Sequence, residues 1–162
     1  MPDLPKYAHW VAERRFLVDA AKLPAMDAAD ARLLEDLYID GGRLRLRRIT
    51  FATGEVEFKL AKKYEADNPL IGPITNLYLD AREYAVLAVL EGARLAKRRH
   101  RIGGFTVDVF EGALKGLVTA ECEAPNRMAA MRFDVPAWCV REVTNEVDYT
   151  GWQLAQTQTL PA

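Results

Sequence analysis

From Gly42 to Ile49 arginine recurs at every second position, Arg43, Arg45 and Arg47, and Leu44 and Leu46 fill the gaps. From Val56 to Lys63 the apolar Val56, Phe58 and Leu60 alternate with Glu57, Lys59, Ala61 and Lys63. Period-two alternation predicts extended strands with one apolar and one polar face. The link Ala52-Thr53-Gly54-Glu55 supplies the glycine that a tight reversal needs, so the pair reads as a hairpin. The pattern returns around Gly103-Gly104. Lys97, Arg99 and Arg101 are in phase before the turn, and after it Asp108 lies on one face with valines on the other. Tyr7–Val18 reads as the first strand, with His9, Val11, Glu13 and Arg15 on one parity. Leu37–Ile39 is a short strand, and Ile74–Leu79 and Val118–Glu123 are two more, the last setting Thr119, Glu121 and Glu123 on one face.

Helices are predicted between the strands. Asp27 is a cap before an alanine-rich run through Leu34. Asp80 and Glu83 have the spacing of a capping box and open a helix through about Arg94, whose Tyr84, Leu87, Val89 and Leu90 form an apolar stripe. Asn126–Phe133 and Tyr149–Gln156 complete the set, with Trp152 and Leu154 available to pack.

The arginine-rich face has two readings on its own: the solvated outside of an antiparallel sheet, or a basic wall for a polyanion. Like charges stacked across paired strands are unfavourable unless anions or carboxylates answer them. The helices bear on the choice, because an apolar helix stripe needs an apolar sheet face to cover. With helices outside, the charged faces point inward, and a sheet closed on itself accommodates both and removes exposed edges. Its interior would have a basic side from the two hairpins and an acidic side from Glu13, Asp108, Glu121 and Glu123.

Composition narrows the classes. At 162 residues the chain suits one domain, spanning 1–162, with a real core. Lys+Arg 22 against Asp+Glu 23 leaves a net charge of -1, so no global basic excess points to nucleic acid, and positive charge is concentrated on particular strands. No apolar run is long enough to cross a bilayer, and Met1-Pro2-Asp3 does not begin as a secretory leader does. Cys122 and Cys139 form neither a metal-spacing motif nor a disulfide framework, so a cytoplasmic location is expected.

Taken in order, these segments resemble the CYTH domain, the family of triphosphate tunnel metalloenzymes. Glu13-Arg14-Arg15-Phe16-Leu17-Val18 is similar to its N-terminal Glu-x-Glu-x-Lys strand, Arg45-Leu46-Arg47 to its Arg-x-Arg strand and Phe58–Lys63 to its lysine strand. Lys97-Arg98-Arg99 is similar to its Lys-x-Arg strand. Asp108 to Gly112 and Glu121-Cys122-Glu123 resemble its late acidic strands, and Pro136-Ala137-Trp138 and Glu142-Val143-Thr144 its C-terminal segment. The resemblance implies an α+β fold: an eight-stranded antiparallel β-barrel, the triphosphate tunnel, with helices packed on the outside.

It also implies chemistry. Arg15, Arg45, Arg47, Lys59, Lys63, Lys97 and Arg99 would clamp a triphosphate-containing small molecule by charge-assisted hydrogen bonds. Glu13, Asp108, Glu121 and Glu123 would hold Mg2+ or Mn2+, hard cations that take oxygen ligands, and Glu13 and Arg15 would be the catalytic residues. Hydrolysis of an inorganic or organic triphosphate is the expected activity. A class IV adenylyl-cyclase-like lyase and a noncatalytic triphosphate- or polyphosphate-binding module are the alternatives, with no nucleic acid or membrane partner and a monomer or homodimer. Two departures thin the acidic side. Val11 stands where the family has its first glutamate, and Asn76 where relatives are often acidic. Arg15 replaces a lysine, keeping the charge but not the capacity for proton transfer.

Overall fold

The computed structural model describes residues 3–162; Met1 and Pro2, on which the expectation about a secretory leader partly falls, lie outside the described residues. Both alternating segments are strands, β3 (Leu44–Phe51) and β4 (Val56–Lys63), and their register sets Arg47 opposite Lys59 and Arg45 opposite Ala61. Gly54 turns between them at φ +89°, a conformation open to glycine and costly for residues with a Cβ. β6 (Gly92–Ile102) and β7 (Phe105–Phe110) form the second hairpin, placing Arg99 opposite Asp108.

The remaining strands are β1 (His9–Val18), β2 (Arg32–Ile39), β5 (Ile71–Leu79), β8 (Val118–Ala124) and the short β9 (Cys139–Glu142). Their order is β5-β4-β3-β2-β6-β7-β8-β1-β9, and β1 pairs with β5 as well, so β1 to β8 close into an antiparallel barrel with β9 appended to β1. Each of the eight strands therefore pairs with a neighbour on both sides over at least part of its length.

The apolar faces point outward and are covered on one side. Phe16, Phe105, Val107, Ala120 and Cys122 pack with Trp138, and the short helix α2 (Arg127–Met131), capped by Asn126, seats Ala130 against Ala12 and Ala124. The helix α1 (Ala81–Ala88) has the predicted capping box, in which Asp80 accepts from the Glu83 N–H and Glu83 answers with the Asp80 N–H.

α1 is shorter than expected and buries none of its residues. It lies against β3, β4 and β5, with Tyr84 stacked on Phe58 at 4.3 Å, and Val89, expected in its apolar stripe, is 80% exposed. The helix stops because Gly92 must already lie in the sheet against β2: a Cβ there would come within 2.1 Å of the Tyr38 carbonyl oxygen. The predicted alanine-rich helix is a single 3-10 turn, Ala28–Asp30, and β2 starts right after it, five residues earlier than the sequence suggested.

The last helix, α3 (Gly151–Thr157), lies across one end of the barrel. Leu154 and Ala155 join Tyr149, Val143, Leu114 and Leu117 over the inward-facing Leu95 and Phe110, with Leu17 and Tyr38 packed against the group. Trp152, expected to pack, is 49% exposed. Inward positions are therefore ionic through most of the barrel and apolar at this end. Among the described residues no helix is long and apolar enough to cross a membrane.

Candidate functional site

A cavity of about 360 Å3 runs into the barrel, lined by Glu13 and Arg15 of β1, Arg45 and Arg47 of β3, Lys59 and Lys63 of β4, Lys97 and Arg99 of β6, and Glu121 and Glu123 of β8. Strand pairing explains the convergence, since cross-strand partners share a face. Arg47 lies between Asp36 and Lys59, and Arg99 pairs across to Asp108, which pairs to Thr119. Asp108 does not line the cavity; it is fully buried behind the cations.

Three acid–base units fix the walls. Arg47 donates through Nε and Nη2 to the two oxygens of Asp36, at 2.6 and 2.7 Å. Arg99 donates in the same forked way to Asp108, at 2.7 and 2.8 Å, and Lys97 Nζ reaches Asp108 Oδ2 at 2.6 Å. Arg15 bridges two carboxylates, Nε to Glu121 at 2.8 Å and Nη2 to Glu13 at 2.7 Å. Burial by itself would push these acids toward protonation, but the neighbouring cations outweigh it. Asp36, held chiefly by Arg47, stays well below the usual carboxylate range, as does Glu121 beside Arg15 and Lys97, and Asp108 is lowered beside Lys97 and Arg99.

Other cations have no such answer. Among the described residues neither Arg45 nor Lys59 is in ion-pair contact with a carboxylate, and the buried Nε of Arg45 has no hydrogen-bond partner. Burial, then repulsion from Arg47, lowers the Arg45 pKa. Burial, then Arg47, Arg45 and Arg99, pushes the Lys59 ammonium down to about 8. A buried donor without an acceptor is costly in the free protein and is a ready contact for an incoming anion. On the same inward face the buried Oδ1 of Asn76 is also unpartnered.

The acidic side is thin. Glu123 stands opposite Glu13 across β1 and β8, and its pKa is raised by partial burial and then by Glu13 and Glu121. Lys63 Nζ is 3.9 Å from the second oxygen of Glu13. No group of three or more His, Cys, Asp or Glu side chains among the described residues is arranged to hold a metal ion.

Asp36 and Tyr38 were not among the residues the sequence singled out. Asp36 anchors Arg47. Tyr38 lines the cavity, and burial followed by the nearby Asp36 carboxylate moves its phenol up to about 12.

These anchoring acids make stability depend on pH. Their folded-state pKa values lie below the unfolded ones, so their contribution is complete above the unfolded carboxylate range and is lost as pH falls through the folded values. Glu123 is shifted the other way and contributes with the opposite sign. The urea midpoint is expected to fall steadily from about pH 5 down to about pH 2. A midpoint flat across that interval would mean the acids are not paired as described.

The closed eight-stranded antiparallel barrel with cationic interior walls is consistent with the CYTH, or triphosphate tunnel, family that the sequence resembles. The crystal structure of the inorganic triphosphatase NE1496 is 26% identical, with a TM-score of 0.57, over 93% of this chain and 99% of that one. A conserved hypothetical protein from Pyrococcus furiosus, 18% identical with a TM-score of 0.50 over 75% of this chain and 83% of its own, shares the fold. No family profile and no curated protein sequence matches the chain.

Proposed function

We propose that the tunnel binds a linear triphosphate and hydrolyses it at the terminal phosphate with the help of a divalent cation, Mg2+ or Mn2+. The observation that carries this reading is the unanswered positive charge of Arg45 and Lys59 deep among fixed cations. A linear triphosphate presents a row of anionic oxygens, and a guanidinium fork and an ammonium held in place by their neighbours match such a row. The likeness to a protein described as an inorganic triphosphatase supports the same reading.

The roles follow from the surroundings of each side chain. Arg47 and Arg99, locked by Asp36 and Asp108, are preorganised to receive phosphate oxygens without moving. Arg45 and Lys59 gain their missing partners from the ligand. On the acidic side, Glu123 and the oxygen of Glu13 not used by Arg15 offer hard donors. Two carboxylates suit one Mg2+ or Mn2+ whose other ligands are waters and substrate oxygens. When bound, such an ion neutralises phosphate charge and makes a coordinated water easier to deprotonate. Val11 and Asn76 leave a second ion without an adequate set of donors, so the site takes one ion.

Incubation with tripolyphosphate and magnesium or manganese, followed by assay of released phosphate, tests the activity. Turnover lost in Glu123→Ala is expected, and turnover no greater than in that variant would overturn it. The noncatalytic alternative draws on one observation, that Arg15 already occupies two of the acidic groups. It predicts tight tripolyphosphate binding, indifferent to chelator, with no phosphate released.

Lys59 gives a further check. With its pKa near 8 it is largely neutral at pH 9 in the free protein, and a bound polyanion favours the charged form. Binding at pH 9 is therefore expected to take up a proton, and affinity to fall as pH rises through about 8. Calorimetry in two buffers of different ionisation enthalpy reads the proton directly, and Lys59→Met removes it.

A further inference from the structure

The guanidinium of Arg15 occupies the space between two carboxylates that would otherwise be free to share a metal ion. Glu121 lies directly across the β1–β8 ladder from Arg15 and Glu13 lies two residues along the same strand face, so all three side chains converge on one point of the inner wall. Nε donates to Glu121 and Nη2 to Glu13, at 2.8 and 2.7 Å, and the three side chains are only 11, 14 and 17% exposed. The fork is what allows this. Its donors point in fixed, divergent directions and can serve two carboxylates at once, whereas an ammonium is a single point of charge that is easily displaced or deprotonated. Among the described residues, the further ion-pair contacts are Glu121 with Arg99, at 3.7 Å, and Glu13 with Lys63, at 3.9 Å.

We propose that Arg15 is a resident cation that takes the place of a second metal ion, holding Glu13 and Glu121 in position and leaving one exchangeable ion site, beside Glu123. To bind a divalent ion between Glu13 and Glu121 the chain would have to break two short charge-assisted hydrogen bonds and leave a mostly buried guanidinium without a partner. Stranding a buried charge in this way is strongly unfavourable. A guanidinium keeps its charge at every accessible pH. Val11 is consistent with the same economy of metal: it lines the cavity two residues before Glu13 and offers no oxygen. Arg15 is on this account a positioning residue, and its positive charge also faces the cavity where a phosphate oxygen would lie. The inference rests on the triphosphate reading only for the identity of the ligand; the blocked ion site follows from the side chains alone.

Manganese titration followed by electron paramagnetic resonance, in which the free ion gives the signal, counts bound ions without reference to turnover. The wild-type protein is expected to bind at most one Mn2+ per chain, with or without tripolyphosphate. Arg15→Gln, which keeps a polar side chain but frees both carboxylates, is expected to bind one Mn2+ more than the wild type. Two ions bound per wild-type chain, or no gain in a folded Arg15→Gln, would overturn the proposal. The wild-type count stands even if Arg15→Gln does not fold. In that case Arg15→Lys, which keeps the charge but can contact fewer carboxylate oxygens, is expected to bind Mn2+ at least tenfold more tightly than the wild type, and equal affinity counts against the proposal. Absence of tripolyphosphate binding would remove the proposed function while leaving the ion count to decide this point independently.

Discussion

Asp108→Ala is expected to cost about 3–5 kcal/mol of folding free energy, one of the two largest effects foreseen for a single substitution in this chain. Asp108 has no exposure and satisfies both Arg99 and Lys97, so its loss strands two positive charges in the barrel interior. A buried charge deprived of its partner has neither water nor a counter-ion, which is why removing one member of such a unit costs far more than the unit contributes as a whole. For a chain of this length the loss corresponds to a fall of roughly 6–20 °C in Tm, readable by calorimetry. A fall equivalent to less than about 1 kcal/mol would mean that water reaches Arg99 and Lys97 and that the walls are not fixed as described.

Arg45→Met should move stability and binding in opposite directions. In the free protein Arg45 carries a charge with no acid in contact and a sealed Nε with no acceptor, so an apolar side chain of similar length relieves a cost of about 1–2 kcal/mol. The same change removes a charge-assisted contact from the phosphate chain, and tripolyphosphate affinity is expected to fall about 30-fold or more. Groups that destabilise the free protein and are satisfied only by a ligand are the mark of a binding site. A variant that loses stability along with affinity would assign Arg45 to the structure of the barrel instead.

Much of this interior was legible in the sequence because alternation is a local signal. Arg45 and Arg47, and Lys97 and Arg99, sit in hairpins whose turns carry Gly54 and Gly103, and a hairpin fixes which residues face the same way. Asp36 was hidden for the opposite reason. In β2 each parity holds an acid and leucine, Leu34 and Asp36 on one and Leu33, Glu35 and Leu37 on the other, so neither face reads as polar. Only the partner strand, which sets Arg47 opposite Asp36, separates the two.

The placement of α3 depends on position along each inward face, which alternation alone does not report. Following the inward parity, Glu13 and Arg15 give way to Leu17, Arg99 and Lys97 to Leu95, and Asp108 to Phe110. Antiparallel pairing brings these apolar endings to one end of the barrel, where Leu154 covers them. The length of α1 was overestimated because helical periodicity continued past Ala88, while the close approach of Gly92 to the Tyr38 backbone is a tertiary constraint with no local signature.

Titration calorimetry with tripolyphosphate at physiological ionic strength, on the wild type, Arg45→Met and Arg98→Met, bears most directly on the claim that the inner wall of the barrel is the phosphate site. Arg98 lies on the same strand as Lys97 and Arg99 but faces outward, where it pairs with Glu111 at 2.6 Å. One tripolyphosphate per wild-type chain is expected, with unchanged affinity in Arg98→Met and a loss of about 30-fold or more in Arg45→Met. Equal weakening by the two substitutions, or no binding by the wild type with or without magnesium, would contradict it.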